Sequence, residues 1–488
     1  MNFKKFSYLG IAIISILSLT ACGSNETEMT NASEEKTEQM INTVEEKTEP
    51  VVNSQSTDST PAVVEESEPE VPEAPPRDLG GKVFTIASWA DVVEPEEKRS
   101  AYEEALWEYR HEMMEKHNFK MQELALSKWQ DTLELFSTST LAGEPAAEIF
   151  RFHATRTIAA VNSGLCYDLS TLDSINPMDP KWNLPLAELM SVGDSQYGIS
   201  PPGRPKDMIF FNKRLFEEAG LDPELPYDLQ ASGDWTWDTF VEISEKLTRD
   251  TDNDGINDVY AMVLNATNFA GAALLSNDTS YLIVDENGKY SSGFELPQTV
   301  AALEWVADYW NTDYNLAPKH WNGHKELFTT GQCAMYLSGE WESSTLSQEI
   351  MTDDWGLVCF PKGPSADGYH SKYKDPGYVI PNAFSKAEAE DIAFAYDLWF
   401  GEIPGYDRAY QWKTELYPLY RDERGVEESN VIARTPENMK PDYTVALSSD
   451  FKNTIANDIL SKKSTVGEAI EAQKAIWQIE IDRINGVK

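Results

Sequence analysis

The 488-residue sequence lacks the short motifs that mark common catalytic sites. It has no Gly-x-Ser-x-Gly nucleophile elbow, no glycine-rich phosphate loop followed by Lys-Ser or Lys-Thr, and no His-Glu-x-x-His zinc motif. His320 and His324 are four residues apart, but Gly323 lies between them and no partner ligand is near in sequence. Among 82 acidic residues, chance pairs of carboxylates are unavoidable and carry no weight. The sequence therefore gives no positive sign of an enzyme.

Cysteine is scarce, and its spacing fits neither a disulfide framework nor a metal site. Only four cysteines occur, and the three beyond Cys22 cannot all pair with one another. We expect Cys166, Cys333 and Cys359 to be small buried apolar residues. A Cys333–Cys359 disulfide is the alternative.

Basic residues are few, because 40 lysines and arginines face 82 acids and leave a net charge of −42. This charge argues against nucleic acid or anionic lipid as a partner. Residues 23–79 contain no Phe, Tyr or Trp and carry fifteen acids against three bases. Such a segment cannot bury enough apolar surface to offset the entropy of ordering it. We predict that it is a disordered acidic tether.

The first 22 residues have the pattern of a bacterial lipoprotein signal peptide. Lys4 and Lys5 precede an apolar run, and Leu-Thr-Ala then leads directly into Cys22. A plain secretory signal or a transmembrane helix is the alternative, but the run is short for a helix that spans a bilayer. The pattern predicts that Cys22 is lipidated and that acyl chains hold the mature chain to the outer face of the cytoplasmic membrane.

Beyond Gly80 the sequence alternates between strand and helix patterns. Strands are predicted at 82–87, 119–124 and 147–150, with helices at 99–116 and 133–143 between them. This β-α-β-α-β order predicts a mostly parallel sheet covered by helices. Ligands bind beyond the carboxyl ends of such strands, which puts five residues on the rim of a cleft: Trp89, Asp91, Arg151, Phe152 and His153.

The second half repeats the α/β pattern after a Pro- and Gly-rich stretch at 201–205, which indicates a crossing between domains. The further predicted strands are 208–211 and 259–263, and the predicted helices are 213–218, 236–248, 297–309 and 465–484.

One acidic loop has the spacing of a calcium site. Asp250, Asp252 and Asp254 occupy positions 1, 3 and 5, a turn glycine follows, Ile256 offers its carbonyl at position 7, and Asp258 stands at position 9. Ala261 stands where a bidentate Glu is usual. We expect a structural Ca²⁺ here, and an acidic turn without an ion is the alternative.

Trp341 is the tryptophan that best suits a ligand platform. It follows an apolar stretch and the turn Ser338-Gly339-Glu340, so its indole should project from a loop. Flat indoles stack on the apolar faces of sugar rings, and a carboxylate such as that of Glu340 accepts hydrogen bonds from sugar hydroxyls. Most of the other tryptophans are expected in the core.

Four segments together resemble one protein family. The four segments are residues 211–222, which begin with Phe-Asn-Lys, 234–240, which begin with Asp-Trp-Thr-Trp-Asp, 328–341, which begin with Phe-Thr-Thr-Gly, and 355–364, which begin with Trp-Gly. Their content and order are similar to those of family 1 extracellular solute-binding proteins of ABC importers, the maltose-binding-protein type. The resemblance covers most of residues 82–488.

The resemblance implies an α/β periplasmic-binding-protein type II fold, in which two hinged lobes close on a solute. The N-terminal lobe would comprise 80–203 and 359–402, and the C-terminal lobe 204–358 and 403–488. It also implies a monomer that delivers a carbohydrate to ABC permease subunits. By position, the ligand-binding residues would be the following: Trp89, Asp91, Arg151, Asn268, Glu340, Trp341, Gly377 and Tyr378.

Other functions remain open from the sequence. The solute could be a polyamine, a peptide or a metal complex, and a cleft with few aromatics and many acids would favour a polyamine. A surface enzyme that acts on glycans and a purely structural or adhesive lipoprotein are the remaining alternatives.

Overall fold

The computed structural model describes residues 76–488 apart from 264, 286–287, 319, 321–322, 374–375, 407–409, 448–450 and 487–488. The predicted lipidation site Cys22 and residues 23–75 of the predicted tether lie outside the described residues. None of the described helices is both long and apolar enough to cross a lipid bilayer.

The strands run throughout the described chain. In chain order they are β1 Lys82–Ser88, β2 Phe119–Ala125, β3 Ile149–Phe152, β4 Ser191–Val192, β5 Ser195–Gln196, β6 Met208–Asn212, β7 Tyr260–Val263, β8 Leu282–Val284, β9 Tyr290–Ser292, β10 Asn315–Leu316, β11 Cys333–Ser338, β12 Trp355–Cys359, β13 Ser371–Tyr373, β14 Gly377–Val379 and β15 Met439–Pro441.

Helices separate most of these strands. The α-helices are α1 Ala101–Lys116, α2 Thr132–Leu141, α3 Ala154–Asn162, α4 Leu184–Leu189, α5 Lys213–Glu218, α6 Leu225–Ser232, α7 Trp237–Leu247, α8 Ala266–Ser276, α9 Pro297–Trp310, α10 Gly323–Thr329, α11 Glu342–Thr345, α12 Lys386–Trp399, α13 Gln411–Leu416, α14 Val431–Arg434, α15 Phe451–Leu460 and α16 Val466–Ile484. Short 3-10 helices span Leu169–Thr171, Pro436–Asn438 and Tyr443–Ala446, and π-helical turns span Leu346–Ile350 and Gly425–Asn430.

Two sheets organise the described chain, and each has its own apolar core. The first has the order β14-β3-β1-β2, with β1 parallel to both neighbours and β14 antiparallel to β3. The second has the order β10-β7-β11-β6-β12, in which β6 is antiparallel to both neighbours. We call the first sheet with α1–α4 and α12 the first lobe, and the second sheet with α5–α11 and α14–α16 the second lobe.

Helix starts follow from local chemistry that the sequence already displays. Ser100 accepts a hydrogen bond from the Glu103 amide and begins α1. Thr236 and Thr465 form capping boxes at the starts of α7 and α16, where the side chain at the third position returns a bond to the cap amide. The predicted helices at 99–116, 236–248 and 465–484 are thereby confirmed within two residues. The third predicted strand, 147–150, lies two residues later.

The lobe boundaries differ from the predicted ones in two places. Leu79 is buried in the first core, although the predicted tether extends through it. Phe360 and Tyr369 pack in the core of the second lobe, although the predicted N-terminal lobe resumes at 359. The chain after β12 covers the sheet that it has just left, so the return to the first lobe comes only at β14.

Three stretches of chain lie at the junction of the lobes, and we call residues 199–208, 371–379 and 439–446 the first, second and third crossing segments. The first two pass from one lobe to the other, whereas the third leaves the second lobe, packs on α3 and returns. The chain passes between the lobes once more between α12 and α14. The first two pair antiparallel through bridges Ile199–Tyr378 and Lys206–Lys372, and β13 pairs parallel with β15. The Pro- and Gly-rich stretch 201–205, which we predict to be a crossing between domains, lies within the first of these segments.

Candidate functional site

A cavity of about 540 Å³ lies where the two lobes meet. His153, directly after β3, comes from the first lobe. The second lobe supplies Asn268 on α8 and Trp341 after β11, and the crossing segments supply further lining residues. The volume is within the range of about 300–1,000 Å³ that is usual for small-molecule sites.

Trp341 lies in the cavity wall with 41% of its surface exposed. Its position depends on Gly339, because a Cβ there would lie 1.5 Å from the indole ring. The Lys206 ammonium lies 5.9 Å from the ring centroid, within the range of a cation–π contact. An exposed indole that rests on a glycine offers one face for stacking.

The first lobe contributes a row of rings, which we call the aromatic row: Trp89, Trp129 and His153. The His153 centroid lies 6.1 Å from that of Trp89 and 4.9 Å from that of Trp129. Each residue follows one of the parallel strands β1, β2 and β3. The carboxyl ends of parallel strands meet at one edge of a sheet, so the topology itself gathers these rings beside the cavity.

Arg151 contacts the aromatic row through Trp89. Its guanidinium carbon lies 4.6 Å from the Trp89 centroid, and Nη1 donates to Glu123 Oε1 at 2.6 Å. Burial alone would lower the pKa of Arg151, but the nearby Tyr378 oxygen and the Glu123 carboxylate raise it overall. The charged guanidinium therefore stays in place against the indole.

Charges in the cavity wall are balanced. The described lining residues include three lysines and three acids. Lys372 contacts Asp207, and Lys325 Nζ lies 3.1 Å from Glu342 Oε2. The remaining polar lining groups are mostly neutral amides and hydroxyls: Asn265, Thr267, Asn268, Thr279, Ser280 and Thr444. These groups can both donate and accept hydrogen bonds, and the wall carries little net charge.

The predicted site residues divide into three groups. Asn268 and Trp341 line the cavity. Trp89 and Arg151 do not line it: Trp89 packs against the lining residue His153, and Arg151 contacts Trp89. Asp91 accepts a hydrogen bond from the Ala125 amide at 2.7 Å and so ties the loop after β1 to the end of β2. Gly377, Tyr378 and Glu340 lie outside the cavity lining.

Packing explains these last three positions. A Cβ on Gly377 would lie 2.2 Å from Thr157 Cγ2, so this glycine permits close packing of β14 on α3. Tyr378 is buried in the first core. Glu340 is fully buried, accepts a hydrogen bond from Ser343 Oγ at 2.9 Å, and lies 3.5 and 3.6 Å from nitrogens of Arg204 and Arg434. Its carboxylate anchors the loop that presents Trp341.

Four residues in or beside the cavity were not predicted from the sequence: Lys325, Glu342 and Lys372 in its lining, and Trp129 against His153. Trp129 follows β2 just as Trp89 follows β1, so the rule on strand ends could have found it. Lys325, Glu342 and Lys372 carry no local signal in the sequence, because the partners of these ion pairs are 17 and 165 positions apart.

A second, more open groove of about 910 Å³ lies on the first lobe. Apolar side chains such as Leu172 and Ile175 line it, together with Glu188, Asp194 and Tyr443. Pro441 lines both the groove and the cavity. The described lining of this groove contains no tryptophan, so we assign the site to the cavity despite its smaller volume.

The acidic loop and the cysteines are separate from the cavity. Carboxylate oxygens of Asp250, Asp252 and Asp254 lie within 4.8 Å of one another. Asp258 instead accepts hydrogen bonds from the amide and hydroxyl of Thr251, which lower its pKa. Ile256 is exposed, and its amide donates to Asp254.

The three described cysteines are buried and unpaired, as predicted: Cys166, Cys333 and Cys359.

Comparisons with known proteins agree with this architecture. Residues 108–418 match the family of bacterial extracellular solute-binding proteins. A search of curated proteins finds no match. The ABC substrate-binding protein Lmo0181 from Listeria monocytogenes, solved with cycloalternan, is 18% identical at a TM-score of 0.55, and the match covers 83% of this chain and 99% of that one.

Two other solved structures are similar to a comparable degree. The cyclic α-maltosyl-1,6-maltose binding protein from Arthrobacter globiformis is 17% identical at a TM-score of 0.58, over 83% of this chain and 98% of that one. UgpB from Mycobacterium tuberculosis, solved with glycerophosphocholine, is 16% identical at a TM-score of 0.58, and the match covers 82% of this chain and 98% of that one. These likenesses confirm the predicted periplasmic-binding-protein type II fold with its two α/β lobes. The family match spans more than half of the chain, which therefore belongs to the bacterial extracellular solute-binding proteins.

Proposed function

We propose that this protein captures a neutral oligosaccharide in the cavity between its lobes and delivers it to an ABC permease. The observation that carries the proposal is the pair of aromatic surfaces at one cavity. Trp341 lines the cavity from the second lobe, and His153, which packs against Trp89 and Trp129, lines it from the first. Indoles stack on the apolar faces of pyranose rings, and the amide and hydroxyl groups between them suit sugar hydroxyls.

The balance of charge favours a neutral solute over a polyamine. A polycation would need acidic side chains whose charge is not compensated. Here Lys372 contacts Asp207 and Lys325 contacts Glu342, so two of the three lining acids already have an ammonium partner. The two sugar-binding neighbours add support from outside the chain, while UgpB makes a phosphodiester solute the competitor to include in any screen.

A ligand screen tests the solute class. Thermal unfolding of the protein should be followed with mono-, di- and trisaccharides, cyclic oligosaccharides, spermidine and glycerophosphocholine. A solute at 100 times its dissociation constant adds about 2.7 kcal/mol to stability, which raises the melting temperature by several degrees. A shift with spermidine or glycerophosphocholine and none with any saccharide would contradict the proposal. Release of new reducing ends from glycans would favour the enzyme alternative.

The membrane anchor belongs to the same proposal. Lipidation of Cys22 would hold the receptor near its permease, and the acidic segment 23–79 would give it reach. Its support is the signal pattern that ends in Leu-Thr-Ala before Cys22. Growth of expressing bacteria with a labelled fatty acid should label the protein, and Cys22→Ala should abolish the label and release the protein from membranes. A Cys22→Ala variant that remains labelled would refute this part.

We also propose that the acidic loop binds Ca²⁺ as a structural ion. Asp250, Asp252 and Asp254 bring three carboxylates together, and oxygen ligands of this kind suit a hard cation. Ile256 would add its carbonyl. Asp258 is engaged by Thr251 in the described structure and would have to release that hydroxyl to contribute.

A further inference from the structure

One residue from each crossing segment meets at a single ammonium group. Lys372 of the second segment contacts Asp207 of the first. Asp442 of the third segment acts on Lys372 as a nearby negative charge. All three residues also line the cavity.

The surroundings keep this lysine charged and fixed. Its side chain is only 17% exposed, and that of Asp207 only 9%. Burial by itself would lower the pKa of Lys372, but the carboxylates of Asp207 and Asp442 raise it overall. A Cβ on Gly271 would lie 3.3 Å from Lys372 Nζ, so α8, which carries Asn268, approaches the same ammonium. The lysine therefore has little freedom to move independently of its neighbours.

Asp442 extends the connection into the first lobe. It accepts a hydrogen bond from the Thr444 amide at 3.1 Å and begins the 3-10 helix Tyr443–Ala446. Val445 in this helix packs with Ala154 and Ile158 of α3, which directly follows His153. A displacement of the third crossing segment would therefore reach the helix next to the aromatic row.

We propose that Lys372 is a positioning residue for solute capture: its ammonium holds the three crossing segments in the register at which Trp341 and His153 line one cavity. Without it, two neighbouring carboxylates, one of them buried, repel each other and the segments separate. The affinity for a solute then falls because the two walls no longer meet in one preferred geometry. This inference rests on the proposed capture of a solute between the lobes, but its structural part is independent of which solute binds.

The first lobe offers a matched control. Lys181 Nζ lies 2.5 Å from Asp397 Oδ1, and its side chain is 8% exposed. This pair is also a buried lysine with an aspartate, but it contacts none of the crossing segments in the described structure. Lys372→Met and Lys181→Met each remove a buried ammonium that pairs with an aspartate, but only Lys372→Met removes one from the crossing segments.

Distance measurements between spin labels in the solute-free protein test the proposal. The full chain would carry Cys22→Ser, with labels at Lys120→Cys in the first lobe and Glu304→Cys in the second, both of which are exposed positions. We expect Lys372→Met to broaden the distribution of distances and Lys181→Met to leave it unchanged, although both lower the melting temperature. Lys372→Arg should restore a narrow distribution. If Lys372→Met gives the same distribution as the parent, the proposal is overturned.

Calorimetric titration with the saccharide that gives the largest shift in the thermal screen measures how each variant affects solute affinity. We expect Lys372→Met to weaken its binding at least tenfold and Lys181→Met by less than twofold. A loss of affinity with an unchanged solute-free distribution would make Lys372 a direct contact and would overturn the positioning role. Should no saccharide bind the parent protein, the proposed function fails, while the label distances still decide this inference. If Lys372→Met does not fold, Asp442→Asn should broaden the same distribution to a smaller extent.

Discussion

The two lobes contribute different chemistry to the cavity. The first lobe presents His153, which packs against Trp89 and Trp129 in the aromatic row. The second lobe presents one exposed indole, Trp341, among amides, hydroxyls and paired charges. The order of the strands thus brings aromatic rings together, whereas the polar part of the wall depends on ion pairs between residues 17 and 165 positions apart in sequence.

This contrast predicts that Trp341 of the second lobe contributes most to the affinity for an oligosaccharide, because its exposed indole lies in the cavity wall itself. We expect Trp341→Ala to weaken oligosaccharide binding by about 2 kcal/mol, roughly 30-fold, as is typical for a central aromatic contact. Calorimetric titration measures this change. Since Trp341 is 41% exposed, the melting temperature without sugar should hardly move. Equal affinity of parent and variant would remove Trp341 from the site.

The glycine beneath the indole gives a second, indirect way to disturb the same wall. A methyl group at Gly339 would lie 1.5 Å from the Trp341 ring, so Gly339→Ala must displace the indole without removing it. We expect a loss of affinity of roughly tenfold, smaller than that of Trp341→Ala. In the Trp341→Ala background the same substitution should add little, because the ring that it displaces is gone. Additive losses in the double variant would mean that Gly339 acts in another way.

The tryptophans of the aromatic row should contribute less to binding than Trp341, because only His153 of this row lines the cavity. Trp129 is 38% exposed and lies against His153 rather than alone. We expect Trp129→Ala to cost about 1 kcal/mol, roughly a fivefold loss of affinity for trisaccharides, and less for monosaccharides. Tyr410→Ala is the control, because Tyr410 is an exposed aromatic residue outside the cavity lining. A loss larger than that of Trp341→Ala would reverse the ranking of the two walls.

The smallest expected effect on binding belongs to the acidic loop, which lies in the second lobe outside the cavity lining. Removal of Ca²⁺ with EDTA should lower the melting temperature by a few degrees and leave sugar affinity within twofold. Asp252→Asn should reduce the response to EDTA, whereas Asp258→Asn should reduce it less, because Thr251 already engages Asp258. A melting temperature that ignores both EDTA and added Ca²⁺ would leave the loop as an acidic turn.

The fold was largely accessible from the sequence, because its signals are local. Apolar periodicity gave the strands and helices, and residues such as Ser100 and Thr236 mark helix starts through hydrogen bonds to amides only a few positions away. The boundary near 359 was less accessible. Whether the chain after β12 stays on the second lobe depends on the burial of Phe360 and Tyr369, which is decided by contacts with distant segments.

The site was accessible only in part, and the pair Glu340 and Trp341 shows why. Both residues belong to the same recognised turn, but the indole lies in the cavity wall while the neighbouring carboxylate is fully buried near Arg204 and Arg434. Sequence adjacency does not give the direction of a side chain in a turn. The partners of Lys372 are similarly hidden, because Asp207 is 165 positions away in the chain.

Small-angle X-ray scattering with and without sugar decides whether a solute is captured between the lobes, because such capture must be accompanied by closure of the lobes. We predict that a saturating neutral oligosaccharide decreases the radius of gyration of the parent protein and that Trp341→Ala requires a much higher concentration for the same decrease. Spermidine should cause no change. A protein that binds the oligosaccharide tightly by calorimetry yet keeps the same radius of gyration, or one that closes on spermidine instead, would contradict the account.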